Sequence, residues 1–308
     1  MNLRAVLPLT LPAVFVLIVV VFAVQAPGFL SAGNLQSLLL NNFVLLAIVA
    51  IGMTYAVAAG GIDLSVGTAL DFASFSFVLL LNGGHGWAVA VTGALGAGLL
   101  VGLVNAGLIA GLRISPFLAT LGTLFIGTSA QQLLSDGGQP IYLAEGLKPE
   151  FAGLTPLLVV LGLALFYGLA LARGRLGREL LAQGTQPLLA YYSGLSVRRI
   201  VTVVALATAL ACAVAGVLLS ATVSAYVPLS GNAFLLNAIG AVFIGTTLSR
   251  QGRANIPGTL LGVLFINVIA NGLLLIGWNF YWQQVATGVL IFVVLAFSFA
   301  SRRMVERT

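Results

Sequence analysis

Between two long apolar runs, Gly60-Gly61-Ile62-Asp63-Leu64-Ser65-Val66-Gly67 places a carboxylate, a hydroxyl and three glycines, and Asp71 adds a second carboxylate. An ionisable group at membrane depth marks a solute or ion path, a relay, or a paired charge. Asp63 has two compatible chemistries. As a structural group it caps a helix starting at Leu64, its carboxylate facing free amides and the positive end of the helix dipole. Gly60 and Gly61 would end the preceding helix in a backbone conformation closed to other residues. As a functional group it belongs to a turn of the cytoplasmic gate, which needs a rigid corner to pivot. Ser65 and Gly67 allow a neighbouring backbone to approach closely. Asp71 lies about 12 Å deeper by helix rise. It must face protein or water, or be protonated. A hydrogen bond to Asn41 or Asn42 and a place on the solute path fit its position equally.

The other polar residues within apolar runs are Asn105, Gln131, Gln132, Asn237, Asn267 and Asn271. Hydrogen bonds between helices are expected of each. Together with Asn42 they would wet a path for a neutral, hydroxyl-rich solute. Tyr281, Trp282 and Trp278 fit an interfacial belt. The single Cys212 rules out an intramolecular disulfide and any Cys-based metal cluster.

The elements that position these groups follow from composition. The chain has 308 residues, 60% hydrophobic and only 6% charged, where soluble domains carry about 25% charged residues. A spanning helix needs ~20 mostly apolar residues. Apolar runs fall at roughly 7–24, 38–59, 64–81, 87–111, 115–134, 156–172, 200–222, 234–249, 257–276 and 281–300. This predicts an all-α, polytopic bundle of about ten transmembrane segments in one domain, 1–308. The run 234–249 is short and reads as a broken helix lining a cavity. The first run, behind Arg4, reads as an uncleaved helix rather than a signal peptide.

The net charge of +6 does not form a nucleic-acid-binding patch, because the basic residues are scattered over short loops. With both termini cytoplasmic, twelve of the thirteen fall inside: Arg4, Arg113, Arg173, Arg175, Arg178, Arg198, Arg199, Arg250, Arg253, Arg302, Arg303 and Arg307. Only Lys148 lies outside, in the periplasmic loop 135–155. That asymmetry is the positive-inside signature. A shift of 191 residues also aligns 41–70 with 232–261, pairing Asn41 with Asn232, Gly61 with Gly252, Gly67 with Gly258 and Thr68 with Thr259. Transporters often build their pathway from such repeats.

The longest inside connection, 173–199, divides into two short helical pieces at Gly184–Pro187. Leu188, Leu189, Tyr191 and Tyr192 beside arginines suit a docking surface, or else a helix lying on the membrane. Glycine-lysine followed by serine or threonine is needed for a P-loop, and the only lysine, Lys148, follows Leu147 and precedes Pro149. The sequence therefore contains no P-loop, and no cofactor or metal site is read here.

The octapeptide at 60–67 resembles the signature of permease subunits of bacterial ribose-type sugar ABC importers. Pro116-Phe117-Leu118-Ala119-Thr120-Leu121-Gly122-Thr123, followed by Gly137-Gly138-Gln139-Pro140-Ile141, is similar to that family's central region. The inner loop resembles its coupling segment, Ala-x-Gly-x-Asn-x-x-Ala-Ala-x-x-Ser-Gly-Ile. Ala182, Gly184, Ala190, Ser193 and Gly194 are kept, while Gln186 replaces the Asn and Leu189 the first Ala. Gly245-Thr246 and Gln251-Gly252 stand where glycine pairs are usual. The resemblance implies a type II importer-like fold, a second permease subunit (identical or paralogous), ATP-binding subunits and a periplasmic sugar-binding protein. It also implies that Gln183, Gly184, Gln186, Leu188, Leu189, Ala190, Tyr191, Ser193 and Gly194 couple to the ATPase. A pentose, hexose, furanose or autoinducer-like furanosyl solute would fit. The competing class is an ion-coupled secondary transporter of a small polar solute, with Asp63 and Asp71 carrying the ion.

Overall fold

In the computed structural model, the described residues are 3–147, 154–249, 251–279, 281–289, 291–293 and 296. Lys148, Glu150, Arg250, Arg302, Arg303 and Arg307 lie outside them. Among the described residues the chain is all-helical, with helices joined by turns and one two-residue strand pair. Its helices are α1 (Leu3–Gln25), α2 (Ala32–Ser37), α3 (Val44–Ala58), α4 (Val66–Asn82), α5 (Trp87–Ala106) and α6 (Pro116–Leu134). They continue with α7 (Thr155–Ala172), α8 (Arg175–Thr185), α9 (Pro187–Tyr192), α10 (Val197–Val223), α11 (Asn232–Thr246) and α12 (Ile256–Leu275). Residues 281–289 are also helical.

Six helical stretches among the described residues are long and apolar enough to cross a membrane: Ala32–Ala58, Trp87–Gly111, Pro116–Leu134, Thr155–Arg173, Val197–Val223 and Ile256–Leu275. Pro12–Gln25, Val66–Asn82 and Asn232–Thr246 are apolar but shorter. The first of the six runs through a π-helical turn, Leu38–Phe43, joining α2 to α3. It therefore begins six residues before the apolar run that predicts it. The 234–249 segment is not broken. It forms one helix of 15 residues, α11, about 22 Å long.

α3 is buried on every side: Ala47 through Ile51 are fully enclosed. A helix apolar all round belongs in the middle of a bundle, and α3 packs against α7, α10, α11 and α12. α10 also packs against α4 and α5, so it joins the two halves. These contacts are close because the facing residues are small. Gly98 abuts Ala213, Gly102 faces Ala205 and Ala209, and Gly52 meets Thr208 and Ala211. Hydroxyls supply the remaining cross-links. Thr54 Oγ1 and Thr259 Oγ1 lie 2.8 Å apart, Tyr55 OH donates to Tyr167 O at 2.9 Å, and Tyr167 OH donates to Ala207 O at 2.8 Å. The loop after α6 contributes β1 (Ile141–Tyr142), antiparallel to β2 (Ala225–Tyr226) after α10.

Candidate functional site: the Gly60–Gly67 turn, Asp71 and the inner loop

α3 ends in a Schellman motif. Gly60 has φ +84°, its N–H bonds Val57 O at 3.0 Å, and the N–H of Gly61 bonds Ala56 O at 2.9 Å. The chain then runs without regular secondary structure to Asp63, which is 6% exposed. Asp63 does not cap a helix starting at Leu64, because α4 starts at Val66. Its Oδ1 instead accepts from the backbone N–H of Ser65 at 2.8 Å and from Ser65 Oγ at 2.6 Å. This is an Asx turn that delivers the chain into the helix two residues later than the expected cap would.

The turn is wired to two neighbouring helices. Ser65 Oγ accepts from Asn105 Nδ2 at 2.7 Å, and Asn105 Oδ1 accepts from Thr123 Oγ1 at 2.6 Å. The Leu64 N–H donates to Thr120 Oγ1 at 3.1 Å. Asn105 and Thr123 lie about 10 Å inside the adjacent ends of their helical stretches, so Ser65 sits within the bundle rather than at its edge. Asp63, Ser65 and Asn105 thus share one buried network. Thr120 and Thr123 complete it unforeseen, and both lie in the 116–123 stretch that the family resemblance singles out.

Asp71 makes neither bond expected of it. Asn41 donates to Ser37 Oγ at 3.2 Å, and both Asn41 and Asn42 are exposed on the π-helical turn. Asp71 is fully buried, and its Oδ1 accepts from Ser230 Oγ and from the Gly231 N–H, each at 2.9 Å. Gln131 Oε1 accepts from the Leu229 N–H at 2.8 Å. The turn before α11 is therefore held from α4 and α6 at once. Its Gly231 packs backbone to backbone on Gly67, where a β-carbon on either glycine would collide with the other. The first turns of α4 and α11 meet there.

The remaining amides lie elsewhere. Asn271 and Asn34 exchange bonds at 2.9 and 3.0 Å, tying α12 to α2. Asn237 Nδ2 donates to Ala233 O of its own helix at 3.2 Å. Asn267 is buried with its Nδ2 unpartnered. None of these, nor Asn42, shares a hydrogen bond with the Asp63 network.

In the inner loop α8 and α9 break at Gln186, where the sequence predicts. α8 abuts the Gly60 turn: a β-carbon at Gly184 would fall on Ala58 O and lie 2.9 Å from Gly60 N. Ala190 is buried, whereas Leu188, Leu189, Tyr191 and Tyr192 are 75%, 60%, 66% and 80% exposed. Ser193 and Gly194 follow on the surface, and Gln183 is half-buried. A cavity of about 360 Å³ opens between α8, α9 and the turn carrying Arg253.

Residues 36–295 match the protein family described as branched-chain amino acid transport system / permease component. Along nearly its whole length the chain is similar to proteins described as autoinducer 2 import system permease protein LsrD. Those of Escherichia coli O9:H4 (strain HS), Escherichia coli (strain K12) and Shigella flexneri are each 31% identical over 306 residues, covering 96% of this chain and 92% of theirs. No solved structure matches the chain.

Proposed function

Because the chain belongs to the branched-chain amino acid transport system / permease component family, and is a multi-pass inner-membrane permease subunit of an ABC importer, we propose that its solute is a small hydroxyl-rich molecule of the sugar or autoinducer 2 type. The observation that carries this reading is the 31% identity over 96% of the chain to permeases named for autoinducer 2 import. ATP-binding subunits supply the energy, a periplasmic binding protein delivers the solute, and a second permease subunit completes the pathway. The chain itself binds no cofactor. A vesicle reconstituted with all these components should take up radiolabelled autoinducer 2 or sugar on addition of ATP. Uptake driven by a proton or sodium gradient without the ATP-binding subunit would overturn the proposal.

Ten crossings with both termini cytoplasmic are part of the same proposal. The six long helices, the three shorter apolar ones and the helical residues 281–289 support it. So does the inside bias of arginine. In a Cys212→Ala background, an outside-only thiol reagent should label Ala144→Cys in whole cells and spare Thr185→Cys. The opposite pattern would reverse the orientation.

Residues 173–199 are the coupling loop in this reading. Four large apolar or aromatic side chains on one short helix have reason to be exposed if a partner covers them. Leu189→Glu puts a charge into that contact and is expected to reduce ATP-binding-subunit retention and binding-protein-stimulated hydrolysis by about tenfold or more, since unpaired charge at an interface costs several kcal/mol. Membrane yield of the permease should hold. A membrane-surface role for α9 would leave both activities intact.

A further inference from the structure

The two segments that meet at the 360 Å³ cavity, 173–199 and 247–255, contain seven arginines and one carboxylate, Glu179. That carboxylate is already engaged: Arg175 Nε donates to Glu179 Oε1 at 2.8 Å, the one ion pair among the described residues. Arg178 and Arg253 both line the cavity, Arg178 from α8 and Arg253 from the turn that leads into α12. Arg178 Nη1 donates to Arg173 O at 3.0 Å, which uses one of the five N–H donors of its guanidinium. Thr185, Gln186 and Ser193 add hydroxyl and amide groups to the same walls, and Leu189 forms an apolar edge. Two guanidinium groups with uncharged hydrogen-bonding neighbours match a carboxylate, which takes forked, charge-assisted bonds from arginine.

We propose that this cavity receives an acidic side chain of the ATP-binding subunit, held between Arg178 and Arg253. The proposal rests on the reading of 173–199 as the coupling loop and deepens it. Leu188, Tyr191 and Tyr192 give the contact its apolar area, and the arginine pair gives it register. The consequence is mechanical. An acidic side chain seated there grips two segments at once: α8, whose Gly184 abuts the Gly60 turn, and the turn joining α11 to α12. One movement of the motor subunit would then displace both sides of the bundle.

The chain's composition makes the test clean. Its only lysine, Lys148, lies in the loop on the opposite proposed side. Arg253→Lys therefore introduces an amine at the cavity where none exists nearby. A water-soluble carbodiimide activates a carboxylate in contact with that amine, an amide forms between them, and the reagent leaves as its urea. In the complex with the ATP-binding subunit, Arg253→Lys should yield a covalent adduct. Peptide mapping should place residue 253 on an aspartate or glutamate of the subunit. Arg253→Glu should lower retention of the subunit about tenfold or more at equal permease amounts, and wild-type retention should weaken as salt is raised. No adduct at residue 253, together with normal retention in Arg253→Glu, overturns the proposal. If Leu189→Glu still releases the subunit in that case, the docking reading stands without the acidic contact. If Leu189→Glu also has no effect, the docking reading falls as well.

Discussion

Gly184→Ala is expected to abolish ATP-driven uptake while the permease still inserts and folds. α8 meets the Gly60 turn at Gly184, and the atoms facing it are backbone: Ala58 O, Gly60 N and Ala58 C. Backbone cannot rotate aside as a side chain can, so one methyl group must push α8 off the turn. Overpacking of this kind costs about 1–3 kcal/mol, a modest loss for a bundle this large. Function is more exposed, since the displaced contact joins the proposed coupling loop to the turn that carries Asp63. Uptake should fall to background while basal ATP hydrolysis persists, with the melting temperature lowered by a few degrees at most. Gly162→Ala is the control, because a β-carbon there meets nothing within 4 Å. Normal uptake by Gly184→Ala would show that force does not pass through this contact.

Local features of the site were legible because local chemistry makes them. A glycine pair after a long apolar run announces a helix end, and Gly60 adopts the left-handed conformation that closes the Schellman motif. Asp63 was readable as a group that organises the start of α4. The sequence could not say that it would choose the amide and hydroxyl of Ser65 over a helical amide further on. The break between α8 and α9 was likewise written in Gly184–Pro187.

Long-range partners were not legible, and Asp71 shows why. Its acceptor atom is satisfied by residues 159 and 160 positions away, one of them through a backbone N–H that carries no residue identity. Asn41 and Asn42 looked better as partners because they were amides on a neighbouring run. The strands β1 and β2 are two residues each, too short for an alternating pattern to register. The repeat also misleads at the level of contacts. Gly258 packs on Gly245 within its own helical hairpin, whereas the aligned Gly67 packs on Gly231 before α11. Similar sequence fixed the helix–turn–helix form of each copy and left its neighbours to the rest of the fold.

Asp71→Leu is expected to cost both stability and uptake, and Asp71→Asn to preserve most of each. The carboxylate is fully buried; its Oδ1 accepts from Ser230 Oγ and the Gly231 N–H, and the Gln131 side chain lies beside it. Leucine removes that acceptor and leaves the buried Gly231 N–H unpaired, at about 1–3 kcal/mol, and frees the half-buried Ser230 hydroxyl. The turn before α11 would then lose its hydrogen bonds to α4, keeping the Gly67–Gly231 contact and the bond to Gln131. Asparagine keeps an oxygen in the same place. The melting temperature of the purified complex and the initial uptake rate should therefore rank wild type and Asp71→Asn together, well above Asp71→Leu. An ion-coupled role for this residue requires the opposite, since removing the charge alone would stop transport. Loss of uptake in Asp71→Asn at an unchanged melting temperature would establish that role and displace the anchoring one.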